Sequence, residues 1–491
     1  MVFNSFIFIL LFLPVCLIGY FCFNYFHRYT MAKAFLFGMS LWFYGYFHAV
    51  YLFLLIGGIL WNYMIYRIGR GLLQKKKNTK ALMVLGVISN LAVLFFFKYM
   101  DFFSENLNAL FGLDIPLLKL LLPLGISFFT FQQIGFIVDA CRGEAGDYSF
   151  LDYALFVSFF PQLIAGPIVT HEELIPQLAD EKKKAFRADN FSMGCVLFIV
   201  GLAKKVLLAD TFGRAVAWGY GSLETLNTPA AVLVMLSFYF QIYFDFSGYS
   251  DMAVGLGRMM NLTLPVNFDS PYRALTLRDY WKRWHITLTR FFTKYVYIPL
   301  GGSRRGTACT YRNILIVFLL SGLWHGADWG FILWGILNGV GIVLCRVLDR
   351  PLMRMERTRF LRAALWFCNM LCVNLLLVLF RAENLHTAGA FFAGLFRGFG
   401  AVPQKLLETF RVGEFWYALK LLHVTGGGHG DLILCIGFLI AAFLIVLCGK
   451  NVHRYIEDFK PRVGYAVGFG ILFLWCFVSL SGVSTFLYYN F

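Results

Sequence analysis

Charge is what this sequence has least of. Of its 491 residues, 14% are Asp, Glu, Lys or Arg, where soluble globular domains carry about 25%. Within that small share the acidic residues are the fewer, 27 against 43 Lys and Arg. These proportions exclude a water-soluble enzyme. The 11 cysteines form no Cys-x-x-Cys pair and no zinc spacing. There is no His-Glu-x-x-His helix, no Gly-x-x-x-x-Gly-Lys loop and no Gly-x-Ser-x-Gly turn. A zinc peptidase, a P-loop nucleotide hydrolase and an α/β-hydrolase nucleophile therefore have no support, and no metal is expected. Internal repeats of fixed period and heptads are missing too.

What is abundant is apolar and aromatic. Hydrophobic residues make up 59% of the chain, with 56 Phe, 25 Tyr and 11 Trp, and the mean hydropathy is +0.68. So many aromatics exclude a solvated coil. The composition predicts an all-α polytopic membrane protein. At ~20 residues per span the length accommodates roughly ten to thirteen transmembrane helices and no large soluble domain. The net charge of +16 comes from short basic runs between apolar segments. These read as topology determinants and contacts for anionic membrane lipids, with no nucleic-acid partner. The cysteines, mostly inside apolar segments, read as small packing residues.

Basic clusters set the orientation. The first basic side chain is Arg28, after an apolar run at 6–26 that is too long for a cleavable signal. That run reads as the first span, with the N-terminus outside the cell membrane. Apolar stretches at 34–48 and 51–66 lead to Arg67, Arg70, Lys75, Lys76, Lys77 and Lys80, a cytoplasmic loop. A second basic loop is expected from Arg346 to Arg362. The chain then divides into N-terminal helices (1–114), a core (115–345) and C-terminal helices (346–491) with an external excursion near 383–430. Inside the core, stretches 116–138 and 150–169 are broken by Pro123, Gly125, Pro161, Gly166 and Pro167. Broken apolar backbone is tolerated at membrane depth only where protein buries it or it lines a cavity, so re-entrant segments are expected.

Ionisable residues inside apolar segments are functional candidates by default. His325 lies in Ser321-Gly322-Leu323-Trp324-His325-Gly326-Ala327-Asp328. A neutral imidazole there can take a proton from a hydroxyl near neutral pH. Asp328, three residues on, is expected to share its helix face and fix its tautomer. The plainer alternative is a core histidine bonded to a backbone carbonyl. A second candidate is Tyr280-Trp281-Lys282-Arg283-Trp284-His285, basic and aromatic together. It suits an amphipathic helix at the interface or dipping into the protein, whose cations either attract an anionic donor or merely snorkel. A third, Phe244 to Asp251, brings Asp245 and Asp251 to the end of an apolar run. They line a polar cavity, pair with Arg278 or Arg283, or simply cap a helix end. The fourth, Gln162 to Ile168, reads as a bend that brings backbone close to a neighbour.

Several of these stretches carry a resemblance. They are Ser127 to Gln132 with Asp139 and Arg142, Ser158 to Ile168, Phe244 to Gly257 running into Asn267-Phe268-Asp269-Ser270-Pro271-Tyr272, and Tyr280 to Gly302 followed by Gly322 to Gly326. The chain resembles the membrane-bound O-acyltransferases, above all their bacterial alginate O-acetyltransferase branch. The resemblance implies many helices around a central tunnel. It implies acyl transfer from a thioester to a hydroxyl, with the catalytic histidine at His325 and the second motif histidine at His285. Trp324, Asp328, Trp281, Lys282, Arg283, Asp245 and Asp251 are the expected supporting or tunnel residues. No tightly bound cofactor is implied; the co-substrate is an acyl thioester, acetyl-CoA or an acyl carrier protein. The implied partners are an extracytoplasmic esterase-like protein and a polysaccharide acceptor such as alginate, cellulose or peptidoglycan. The implied place is the bacterial inner membrane. Lys294 and Asn338 depart from the branch, which often has an acidic residue and a further histidine there.

Three other functions compete. D-alanyl transfer to teichoic acid differs in its donor, a carrier protein. A transporter or flippase of polysaccharide precursors predicts inverted repeats. A non-catalytic scaffold predicts tolerance of substitution at both histidines.

Overall fold

The computed structural model describes residues 1–349, 351, 358–423, 429–449, 451–458, 460, 462–480 and 486–487. Arg350, Arg354 and Arg357 of the expected basic loop, and the Gly426-Gly427-Gly428 tract, lie outside the described residues. Among the described residues there is no strand, and the chain is an all-α polytopic membrane protein. Nine described helices are long and apolar enough to span a bilayer, from Phe8–Tyr25 to His429–Cys448, and Val463–Val478 is a shorter apolar helix. Their outward residues are themselves apolar, for example Leu10, Ile18, Phe53, Ile440 and Leu444. Such faces suit lipid rather than water.

The chain folds as two compact units, Met1–Gly201 with Tyr249–Val266 and Lys460–Asn490, and Leu202–Gly248 with Asn267–Phe459. In the first unit, Phe3, Phe8, Phe12, Phe43 and Phe160 pack ring against ring in the core. Three helices, Val50–Gln74, Lys80–Lys98 and Ile126–Arg142, are tied by buried amides. Asn62 Nδ2 donates to Gln133 Oε1 at 2.7 Å, and Asn90 Nδ2 to Asn62 Oδ1 at 2.7 Å. Buried interhelical bonds of this kind hold helices that the hydrophobic effect alone cannot order in lipid. Val50–Gln74 carries Arg67 and Arg70 inside the helix, not in the loop after it, and both reach Asp147.

The two broken stretches meet. Helix Ile126–Arg142 starts only after Gly125, whose φ is +70° and whose missing Cβ would sit 2.6 Å from the Leu163 carbonyl. Helix Phe150–Ser158 stops at Phe159, and Phe160–Leu163 is a single turn before the Gly166 bend. Gln132 and Gln162 both donate to the Phe156 carbonyl exposed by that break. The expected bend thus has its neighbour, and glycine lets two backbones touch there.

Two apolar stretches differ from the sequence expectation. Thr228–Met259 is one continuous helix, so Ser250 and Asp251 sit within it rather than capping an end. Residues 314–347 are broken, because Thr307–His325 ends at His325 and Trp329–Val347 begins anew. The described part of the 383–430 excursion holds short helices, Leu385–Gly394, Gln404–Glu408 and Gly413–Leu421. Asn227 Nδ2 donates to the Ala401 carbonyl at 2.8 Å, and Arg411 Nε pairs with buried Asp431 at 2.5 Å.

Candidate active site

Both motif histidines lie in the second unit, and small residues put them there. Thr307–His325 and Trp329–Val347 pack against each other through glycines. A Cβ on Gly322 would meet the Phe331 carbonyl at 2.4 Å, and one on Gly335 the Phe318 carbonyl at 2.4 Å. Close backbone approach of this kind is how lipid-embedded helices bind one another. His325 is the last residue of its helix. Gly326 is extended, and a Cβ there would strike the Phe331 ring at 2.2 Å. The turn therefore folds tightly back, and the His325 ring is walled by Trp334 and Phe380, each at 5.1 Å between centroids. His325 is 3% exposed.

His285 is reached by a different route. The expected amphipathic helix is two short ones, Leu277–Arg283 and Ile286–Phe292, and His285 is the break between them. Its φ is 47° and its ψ 52°, left-handed backbone that non-glycine residues adopt at a cost, usually where function or packing demands it. Asn267 pins the break. Its carbonyl accepts from Ile286 N at 3.0 Å. Its side-chain oxygen accepts from Thr287 Oγ1 at 2.7 Å and Thr287 N at 3.2 Å. The result turns His285 inward, 1% exposed, with its ring 4.7 Å from Phe246 and 6.0 Å from Trp324. Burial lowers the imidazole pKa to about 3, so the ring is neutral at neutral pH.

Trp324 links the two histidines, since its ring also lies 4.8 Å from that of His325. Trp281 adds the next wall, 5.6 Å from Trp334, with its Nε1 donating to Asn338 Oδ1 at 3.0 Å. Asn338 thus fills its departure from the family pattern by satisfying a buried indole.

The other candidates take different places. Asp328 is the N-cap of Trp329–Val347, and its carboxylate accepts from Gly330 N at 2.6 Å. It shares no helix with His325, because the chain breaks at Gly326. Asp245 pairs with neither Arg278 nor Arg283. Lys205 Nζ lies 2.6 Å from Asp245 and 2.9 Å from Asp210, with Lys205 and Asp245 buried. The two arginines are taken by Asp349 and Asp279. Lys282 and Arg283 point from Leu277–Arg283 into an outward cleft. Asp251 is buried in the first unit. Also there, His171 Nε2 stands 3.3 Å from Asp139 Oδ2, at ion-pair distance, and its Nδ1 is 3.1 Å from the Tyr148 hydroxyl.

Sequence reasoning missed Phe246, Trp334, Phe380 and Asn267 as parts of the site. Three are aromatics in a chain rich in them; Phe246 and Asn267, both inside quoted motifs, carried a signal.

Two buried histidines packed among aromatic rings, one of them directly after a basic helix, fit acyl transfer, and comparison with known proteins agrees. Residues 138–382 match the model of the membrane-bound O-acyltransferase family. The chain is 36% identical to the peptidoglycan O-acetyltransferase of Helicobacter pylori, over 100% of this chain and 98% of that protein. It is 40% identical to the probable alginate O-acetylase of Pseudomonas putida, over 81% of this chain and 80% of that one. It is 28% identical to the teichoic acid D-alanyltransferase of Streptococcus thermophilus, over 45% and 56%. The chain therefore belongs to the membrane-bound O-acyltransferase family, and is a multi-pass membrane acyltransferase.

Proposed function

We propose that this chain carries out O-acetylation of a cell-surface polysaccharide, with peptidoglycan the first acceptor to test and His325 as general base. The donor is a cytoplasmic thioester, acetyl-CoA or an acyl carrier protein. The observation that carries the reading is that His285 and His325 both pack against Trp324, both buried, within the stretch matched by the family. Peptidoglycan comes first because the match to that acetyltransferase runs the length of both chains.

The chemistry is balanced by one imidazole. His325 takes the proton of the acceptor hydroxyl as its oxygen bonds to the thioester carbonyl carbon. The tetrahedral intermediate collapses, the carbon–sulfur bond breaks, and the thiolate leaves with the proton held by His325. His285, neutral and turned inward, is the donor proposed for the oxyanion. Trp324, Trp334 and Phe380 exclude water, which would otherwise hydrolyse the thioester. An extracytoplasmic esterase-like partner completes transfer to the polymer, and the chain sits in the inner membrane with its N-terminus outside.

The test is acetyl ester on the surface polymer in cells expressing wild type, His325→Ala or His285→Ala, with membrane abundance measured for each. Loss of ester at normal abundance in His325→Ala is expected. Unchanged ester in both variants would sink the reading in favour of transport or a scaffold.

A further inference from the structure

The outward side of Leu277–Arg283 borders a cleft of about 510 Å³ that the transfer chemistry does not use. Among the described residues, five cations line it, Arg273, Arg278, Lys282, Arg283 and Arg362, against two carboxylates, Asp279 and Asp349. Those carboxylates are already engaged. Arg283 Nε lies 2.9 Å from Asp279, and Arg278 Nη1 lies 3.1 Å from Asp349. Arg273 donates to the Gly449 carbonyl at 2.6 Å and the Val446 carbonyl at 3.3 Å. Among the described residues, the Lys282 and Arg362 side chains have no hydrogen-bond or ion-pair partner. Two uncommitted cations in a walled cleft call for an anion, and a phosphate ester accepts from both.

The rim is apolar. Leu344, Val347 and Leu348 are exposed where Trp329–Val347 ends, and Phe360, in the first turn of Arg359–Arg381, is 81% exposed. Cys345, Asp349 and Arg362 of the same two segments line the cleft. A ligand with a phosphate beside hydrocarbon meets both surfaces at once. We propose that this cleft binds the headgroup phosphate of an anionic phospholipid, its acyl chains lying along Leu344, Val347 and Phe360. The charge pattern also says which headgroup. A zwitterionic lipid brings an ammonium that needs a carboxylate, and Asp279 and Asp349 are both held by arginines. A glycerol headgroup brings none. Occupancy steadies the helix that carries Trp281 and leads into His285, so lipid identity is read out at the site.

The experiment uses the purified full chain in neutral detergent. The probes are short-chain phosphatidylglycerol, phosphatidylcholine, coenzyme A and inorganic phosphate, read by thermal unfolding and native mass spectrometry. Phosphatidylglycerol is expected to bind at least about tenfold more tightly than phosphatidylcholine and to raise the unfolding temperature. Lys282→Gln with Arg362→Gln removes that preference, while Lys282→Arg keeps it. The lipid-free unfolding temperature of each variant separates lost binding from lost folding. Equal binding of the two lipids, or a preference that survives the double glutamine variant, overturns the proposal. So does displacement of phosphatidylglycerol by coenzyme A, which would give the cleft to the donor. His325→Ala retains lipid binding, so failure here and failure of the acyl-transfer reading are separately visible.

Discussion

Two buried histidine settings in this protein differ in what holds the ring. In the first unit His171 has a polar group at each nitrogen, Asp139 at 3.3 Å and the Tyr148 hydroxyl at 3.1 Å. In the second unit His285 and His325 are placed by rings, Phe246 and Trp324 for one, Trp324, Trp334 and Phe380 for the other. Polar groups beside both nitrogens fix the orientation of an imidazole. Aromatic neighbours fix the plane of the ring. The first arrangement suits a strut, the second a group whose proton must move. Burial by itself does not separate them, since all three side chains are almost wholly enclosed.

The largest effect that separates the two is on turnover. His325→Gln is expected to lower acetyl transfer per membrane-inserted molecule by about 10²–10⁴-fold, the usual worth of a general base. Its unfolding temperature should stay close to wild type. His171→Ala should do the reverse. Removing the buried ring opens a cavity against Phe136 and takes away the nitrogen beside the Tyr148 hydroxyl, a loss of about 3 kcal/mol in stability. Abundance falls while turnover per folded molecule holds. A His171→Ala enzyme that is abundant, stable and inactive would break the comparison.

A smaller effect, on pH, sharpens it. The His285 imidazole is lowered to about 3 in the folded chain, against about 6.5 unfolded. A lowered pKa means the unfolded state binds the proton first as pH falls. The stability His285 contributes is therefore complete above about 6.5 and lost progressively toward about 3. His285→Asn is the informative variant, because asparagine tolerates the left-handed backbone found there but does not titrate. Between pH 7.5 and pH 5 the wild type should lose more stability than His285→Asn. Parallel curves would mean that the ring is not held neutral.

Much of this was legible beforehand, and the rest was hidden for physical reasons. Charge scarcity and apolar runs sufficed for an all-α membrane protein. The two histidines stood out because ionisable groups are costly in such segments. Partners across the chain did not. Nothing near Asp245 points to Lys205, 40 residues earlier, since pairing inside a bundle is decided by helix packing and not by spacing. The break at His285 was invisible because no glycine or proline marks it; Asn267 enforces it from a distant loop. Residues 314–347 read as one segment because the interruption, Gly326 to Asp328, is too short to lower the hydropathy around it.

The smallest effect concerns Asp328, where sequence and structure give different jobs to one carboxylate. Spacing of three from His325 suggested an orienting partner. The structure breaks the helix between them and turns Asp328 onto Gly330 N. A cap of this kind is worth about 1 kcal/mol, and Asp328→Asn or Asp328→Ser preserves an acceptor there. If capping is its whole role, Asp328→Ala lowers the unfolding temperature slightly. Both acceptor-keeping variants then restore it, with kcat and its pH profile unchanged throughout. An orienting role gives another pattern. Asp328→Asn would keep the cap and the stability yet lower kcat, because the amide cannot stabilise an imidazolium at His325. Measuring kcat against stability in that single variant decides whether the aromatic wall is sufficient to set the catalytic ring, or whether a carboxylate assists it as Asp139 does His171.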